Sequence, residues 1–267
     1  MCSWQVARVG APASMRAGAG YVTVCLPLAL QATVAASGSP ELMTRGLPDE
    51  DASFTPAAVG PVLEVGARGG ALALGPGLGR SEAAVEFART LAREAEIPLV
   101  LDADGLNAHA ERLEDLAARR GATVLTPHAG ELGRLLGCES SQVQSRRLRH
   151  VRAAAASARS VVVLKGDDTL VASAEGRVAV SPGGSPALAT AGTGDVLTGV
   201  IAALLAQGLE PFTAAAAGVW MHVRAGREAA AKVGAAEGVI ATDVIAALPG
   251  ARTPAACGPA RPSGGGE

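Results

Sequence analysis

The chain has 267 residues, 49% hydrophobic and 18% charged, enough to bury one large α/β core. A net charge of −2 excludes a polyanion-binding surface, so no nucleic-acid partner is expected. No run reaches the ~18 apolar residues of a membrane span, and the four cysteines, at 2, 25, 138 and 257, lack metal-ligand or disulfide spacing. A reducing, cytoplasmic setting follows, because the N-terminus also lacks the charged-then-apolar layout of a signal peptide.

With aromatic residues at 2%, the core must be built from Ala, Val and Leu. Short β-branched runs alternate with Ala-rich helical stretches, the pattern of a mainly parallel sheet with crossover helices. A strand is expected at 21–26 and another at 71–74, followed by Gly75-Pro76-Gly77-Leu78-Gly79 and a helix at 82–94. The strand at 99–102 ends in Asp102-Ala103-Asp104 and precedes a helix at 111–119. A strand at 123–125 leads through Thr126-Pro127-His128 to a helix at 130–136 and a long one at 142–157. After the strand at 161–164 comes Lys165-Gly166-Asp167-Asp168-Thr169. Strands at 169–172 and 178–180 flank Ala174-Glu175-Gly176, an edge hairpin, and helices at 196–206, 212–233 and 242–248 complete the domain, taken as residues 1–250. Residues 251–267, rich in Pro, Gly and Ala, are expected to be a disordered tail.

Polar loops fall just after successive strands, and in open α/β sheets ligands bind outside the carboxyl ends of strands. Residues 181–207 add a Gly-rich approach to Gly192-Thr193-Gly194-Asp195 and then an apolar helix without charge for fourteen residues after Asp195. Bare N–H groups and the helix dipole at such a start hold an anion, most often phosphate. Asp195 there is either a residue that complements the dipole or a base facing the phosphate. The stretch is neither a P-loop nor a Rossmann fingerprint.

Other candidates carry two readings each. The 75–79 loop is a close backbone approach to a ligand or an ordinary tight turn, and His128 is a ligand contact or a satisfied polar group. Asp102 and Asp104 could hold a metal, or Asp104 could cap a helix over 106–110. Lys165–Thr169 could cradle phosphates or be a turn with solvated Asp167 and Asp168. Lys165 is one of only two lysines beside 21 arginines, which favours a specific role. His222 and Arg224, in a long Ala-rich helix, face polar groups or water on this reading, and His109 and His150 have no partner that sequence identifies.

Together these residues resemble the NAD(P)H-hydrate dehydratases of the ribokinase-like superfamily. The resemblance runs from about residue 16 to 249 and is carried, in order, by RAGAGYVTV at 16–24, the 75–79 loop, PLVLDADGLN at 98–107, LTPHAGE at 125–131, VLKGDDT at 163–169 and the 181–207 segment. It implies a ribokinase-like three-layer α/β/α fold, a mostly parallel sheet with helices on both faces and an edge hairpin. It also implies repair of hydrated NADH or NADPH: the ring hydroxyl is phosphorylated by ADP (ATP in eukaryotic members), phosphate is eliminated, and AMP is released. Asp195 would be the base and a substrate contact, with Gly77, Gly79 and His128 also at the dinucleotide. Lys165, Gly166, Asp167, Asp168, Thr169, Gly192, Thr193 and Gly194 would hold the nucleotide. Mg²⁺ would bridge the phosphates, its protein ligands left unassigned. A homo-oligomer such as a tetramer is implied, with a separate epimerase acting on the other epimer.

The departures are at Ala129, where the family favours Pro, at Ser185, where it often has Asn, and at the N-terminus. Fifteen residues precede Arg16, and 10–15 is too short for the helix the pattern places there, so an incomplete first strand and helix are expected. Two other readings stay open on the residues: a kinase for a small alcohol on the same fold, and a non-catalytic nucleotide-binding remnant.

Overall fold

In the computed structural model, which describes residues 9–252, the chain opens with helix α1 (Gly10–Arg16), strand β1 (Thr23–Pro27), helix α2 (Leu28–Ser37) and strand β2 (Met43–Leu47). Strands β3 (Asp49–Glu50) and β4 (Ser53–Phe54) and helix α3 (Val59–Gly66) lead to β5 (Leu72–Leu74) and α4 (Glu82–Glu94). Next come β6 (Leu99–Leu101), α5 (Ala103–Asn107), β7 (Thr123–Leu125), α6 (Ala129–Leu136), α7 (Ser140–Ser145) and α8 (Arg147–Ala158). The rest is β8 (Val161–Leu164), β9 (Leu170–Ala172), β10 (Val178–Val180), α9 (Thr193–Ala206), α10 (Pro211–Val233) and α11 (Ala241–Ala251).

A six-stranded sheet has the order β10-β9-β8-β7-β6-β5. Strands β5 to β8 run parallel, and β9 and β10 turn back as the antiparallel edge hairpin. Strands β1 and β2 form a separate parallel pair, and β3 and β4 a small antiparallel one.

Both faces of β6 to β8 are buried, which is why these strands read as plain Val and Leu runs. Leu99, Leu101, Leu125, Val162 and Leu164 pack into one core with α4, α6 and α8. Val100, Val124, Val161, Val163 and Val171 alternate with them and enter a second core with α1, α9, α10 and α11. Helix α9 is buried on nearly every side, with Val196 through Leu205 all inaccessible. Its lack of charge is a consequence of position between the sheet and α1 and α10. Among the described residues no helix is long and apolar enough to cross a membrane.

At the N-terminal end the described residues hold only the seven-residue α1, which packs on α9, where the Ser14 hydroxyl donates to the Gly199 carbonyl at 3.0 Å. Several expectations need correction. The 111–119 segment is a 3₁₀ helix over Leu113–Ala118, because Glu111 takes φ 55° and donates its N–H to the Arg134 carbonyl instead of starting an α-helical turn. The long helix at 142–157 is two helices, broken at Arg146 (φ −142°, ψ 49°). Elements α2, α3 and β2 to β4 lie between 28 and 66, where no clean period marks them. Cys2, Cys257 and residues 253–267 of the expected tail lie outside the described residues.

One contact fixes where the loops stand. Gly75, at φ 134°, presses on the Asp102 carbonyl, and a side chain there would collide with it. Gly105 answers from α5, where a Cβ would lie 2.6 Å from the Leu74 carbonyl oxygen. Gly79, at φ 87°, faces open space instead. Gly75→Ala is expected to cost more than about 4 kcal/mol in urea unfolding, and Gly79→Ala only about 1–2 kcal/mol, the left-handed backbone penalty alone. Equal costs at the two sites would show that the packing contact is not the constraint.

Candidate active site

Parallel pairing brings the carboxyl ends of β5, β6, β7 and β8 to one edge, so Gly75, Asp102, Thr126 and Lys165 emerge side by side. The loops that the sequence singled out are thereby gathered. Their register is tied by the main chain: Asp102 N–H donates to the Leu74 carbonyl, Thr126 N–H to that of Leu101, and Lys165 N–H to that of Pro127.

At the centre lies a buried ion pair. Lys165 Nζ donates to Asp102 Oδ1 at 2.8 Å, and the Asp102 side chain is 2% exposed. The Thr198 hydroxyl, five residues after the first residue of α9, donates to the other carboxylate oxygen at 2.7 Å. Glu131 Oε2 stands 3.7 Å from the same ammonium. Burial alone would depress the Lys165 pKa, but the charges of Asp102, Glu131 and Asp195 more than reverse this and raise it, so the lysine stays charged.

Asp195 belongs to this cluster. It lies in the first turn of α9, whose N-cap Gly192 takes φ 90°. Burial pushes its carboxyl up to about 6, the Asp102 charge pushes the same way, and Lys165 offsets part of the rise. A carboxylate held there is a proton acceptor near neutral pH, which sequence alone left as one of two readings. Gly194 lies beside the lysine: a Cβ there would stand 3.7 Å from Lys165 Nζ, an ordinary van der Waals contact. The Thr193 hydroxyl is spent on the turn itself, donating to the Leu188 and Thr190 carbonyls at 2.7 and 2.8 Å.

His222 of α10 is buried against this turn. Its Nε2 has no hydrogen-bond partner. Burial holds its pKa down to about 4, the Thr193 main chain pulls the other way, and the Lys165 charge adds to the depression, so the ring is neutral. Of the two readings, polar groups or water, the buried ring meets the first, in the Thr193 main chain.

Of the two readings of the 165–169 turn, the exposed turn is the one its burial describes. Lys165 reaches inward, while Gly166, Asp167 and Asp168 are exposed. On the opposite side, His128 caps α6, its Nδ1 accepting from the Gly130 and Glu131 N–H groups at 3.0 and 3.3 Å. Glu131 returns the bond, accepting from the His128 N–H at 2.9 Å, a capping box with an imidazole in place of a hydroxyl. The other ring nitrogen, Nε2, stands 3.5 Å from Glu131 Oε1, and about half of the His128 side chain is exposed. Asp104 does not cap a helix over 106–110. The helix is α5, with Asp102 at its N-cap, and Asp104 accepts from Arg80, Asn107 and the Gly79 N–H. Asp102 and Asp104 thus serve different partners, and no group of three or more metal-ligating side chains occurs among the described residues. Mg²⁺ asks for less: one or two carboxylates plus phosphates and water. Glu131 and Asp195, whose charges both act on Lys165, match that number of carboxylates.

Thr198, Glu131 and His222 complete the site without having been assigned to it. Thr198 falls three residues after Asp195, on the same face of α9, and that spacing was the available signal.

Comparison with known proteins follows the geometry. A family model described as NAD(P)H-hydrate dehydratase matches residues 7–250. The bifunctional NAD(P)H-hydrate repair enzyme of Moorella thermoacetica is 42% identical over 242 residues, 90% of this chain and 45% of its own length. The ADP-dependent (S)-NAD(P)H-hydrate dehydratase of Neisseria meningitidis is 44% identical over 177 residues, 65% of this chain and 60% of its own. The chain thus spans about half the length of the curated relatives it matches. Among solved structures, the Bacillus subtilis ADP/ATP-dependent NAD(P)H-hydrate dehydratase co-crystallised with ATP/Mg²⁺ superposes with a TM-score of 0.76 at 27% identity, covering 92% of this chain and 83% of that one. A hydroxyethylthiazole kinase of Pyrococcus horikoshii, at 16% identity and TM-score 0.59, shares the fold.

The buried Thr198–Asp102 bond is testable on stability alone. Thr198→Val removes a donor to a buried charge and is expected to cost about 1.5–3 kcal/mol in urea unfolding, whereas Thr198→Ser retains most of it. A silent Thr198→Val would remove this bond from the framework of the site.

Proposed function

This chain belongs to the NAD(P)H-hydrate dehydratase family, and from that premise we propose that it dehydrates the (6S) form of hydrated NADH or NADPH at the expense of ADP. The observation that carries the reading is the Asp195 carboxylate, raised to about 6 at the start of an uncharged helix and beside a buried lysine. It is supported by the relatives named for this reaction.

The residues divide the chemistry. Asp195 takes the proton of the ring hydroxyl as its oxygen attacks the terminal phosphorus of the nucleotide. The N–H groups of the 192–195 turn and the Lys165 charge stabilise the negative charge on the transferring group. AMP leaves, the C–O bond to the new phosphate then breaks with help from the ring nitrogen, and loss of a ring proton restores the reduced nicotinamide. Gly77, Gly79 and His128 contact the dinucleotide; Lys165, Gly166, Asp167, Asp168, Thr169, Gly192, Thr193 and Gly194 hold the nucleotide. Asp195 and Glu131 are the carboxylates that would hold Mg²⁺, which when bound would supply neutralisation of phosphate charge.

The reading includes a cytoplasmic homo-oligomer working beside a separate epimerase. The free thiols Cys25 and Cys138 accord with a reducing compartment.

Hydrated NADH with ADP and Mg²⁺ should recover absorbance near ~340 nm, the band of the reduced nicotinamide whose hydride chemistry the cofactor carries. Asp195→Asn should lower kcat by about 10³-fold or more while ADP still binds. Turnover near the wild-type rate would take the base role from Asp195. With wild type, kcat/KM should climb with pH through about 6 and then level, the ionised carboxylate being the active form.

The same pKa has a stability consequence of opposite sign. Unfolded Asp195 loses its proton at the ordinary carboxylate pH and folded Asp195 only near 6, so stability falls across that window as pH rises. Asp195→Asn should therefore raise Tm at pH 8, by about 2 kcal/mol of stability, and leave it unchanged at pH 3.

A further inference from the structure

The break that divides α7 from α8 places an arginine where a helix disfavours one. Arg147 is the first residue of α8, at the positive end of its dipole, and no acidic residue stands in that turn to compensate. Its side chain does not point to water: it is 16% exposed. The guanidinium lies behind the 165–169 turn and joins the turn's two ends. Nη2 donates to the Leu164 carbonyl at 3.2 Å and to the Asp168 carbonyl at 3.1 Å, and Nε stands 3.3 Å from Asp168 Oδ1. Nη1 also reaches Gln144 Oε1 of α7 at 3.2 Å, so the fork is held from both sides of the break.

Gly166 is shaped by this group. A Cβ there would stand 2.6 Å from Nη2 and 2.8 Å from Nη1, with no main-chain atom among its near neighbours. A side chain at 166 would therefore displace the guanidinium from the position in which it holds the turn. Pairing with Arg147 also offsets the charge of Asp168, which would otherwise repel a polyphosphate.

The geometry points to Arg147 as a positioning residue that fixes the 165–169 turn in the form that receives the nucleotide. This rests on the reading of that turn as the nucleotide-holding segment. The planar fork serves two separate carbonyls and a carboxylate at once, and a lysine ammonium on a flexible stem does not replace it.

The test is ADP titration by calorimetry, with steady-state kinetics on hydrated NADH, for wild type, Arg147→Lys, Arg147→Ala, Gly166→Ala and the Arg147→Ala/Gly166→Ala pair. Both Arg147 variants should weaken ADP binding and raise its KM by about tenfold or more, with kcat at saturating ADP and KM for the hydrate within about twofold of wild type. Gly166→Ala should weaken ADP binding in the wild-type background and add little to Arg147→Ala, because the obstructing group is gone. If Arg147→Ala does not fold, Arg147→Lys carries the comparison. Unchanged ADP affinity in the Arg147 variants, a parallel loss in hydrate KM and kcat, or fully additive penalties at 147 and 166 would overturn the proposal. A wild-type chain that binds no ADP overturns the nucleotide reading and this one together. A wild type that binds, with variants that bind equally well, overturns this one alone.

Discussion

The buried contact between Lys165 and Asp102 is the constraint on which the site is built. It ties the end of β8 to the end of β6 across β7, and Thr198 extends the tie to α9. Both charges are largely withdrawn from water, and Asp102 without the lysine would be a buried carboxylate lacking its cation, a condition worth about 3–5 kcal/mol. The pair therefore enforces the relative placement of sheet edge and helix start. It also sets the electrostatics of Asp195, which feels Asp102 and Lys165 in opposite senses. A compact ammonium suits this role better than a guanidinium, because Asp102, Glu131 and Asp195 converge on one atom and Gly194 lies beside it.

Much of this was legible in the sequence, and the reasons are specific. Glycines at 75, 77 and 79, the lysine in an arginine-rich chain and the charge-free helix after Asp195 are each local signals of backbone conformation or burial. The strand-end pattern placed the loops on one edge before any contact was known. The two-faced burial of β6 to β8 was not legible in detail, because a strand with both faces covered has no polar alternation to reveal which residue faces which core. Thr198 and His222 stayed hidden for a related reason: each is a single polar group in an apolar helix, and its partner lies more than twenty-five residues away in sequence.

The break at Arg146 shows how a local rule fails where function intervenes. Residues 142–157 carry helix-forming side chains throughout, and continuity is the sensible reading. The structure interrupts the helix and sets an arginine at an unfavourable terminus, and the carbonyls of the 164–168 turn repay the departure. Such conflicts between local preference and global arrangement concentrate at functional sites. The segment from 28 to 66 is different in kind, since its elements are short and half-exposed and little in them commits to one period.

Helix α9 has a further consequence. From Val196 onward it carries no ionisable side chain, and the sheet and neighbouring helices seal it from solvent. Mobile ions have no access to the protein side of the field that its N-terminus projects. Exposed arginine clusters lose their hold on anions within a Debye length of about 8 Å at physiological ionic strength, whereas buried sources are screened far less. An anion received at this helix start, as proposed, would be drawn by dipoles and one largely enclosed lysine, and its attraction would respond less to the salt content of the surroundings than that of an exposed arginine cluster.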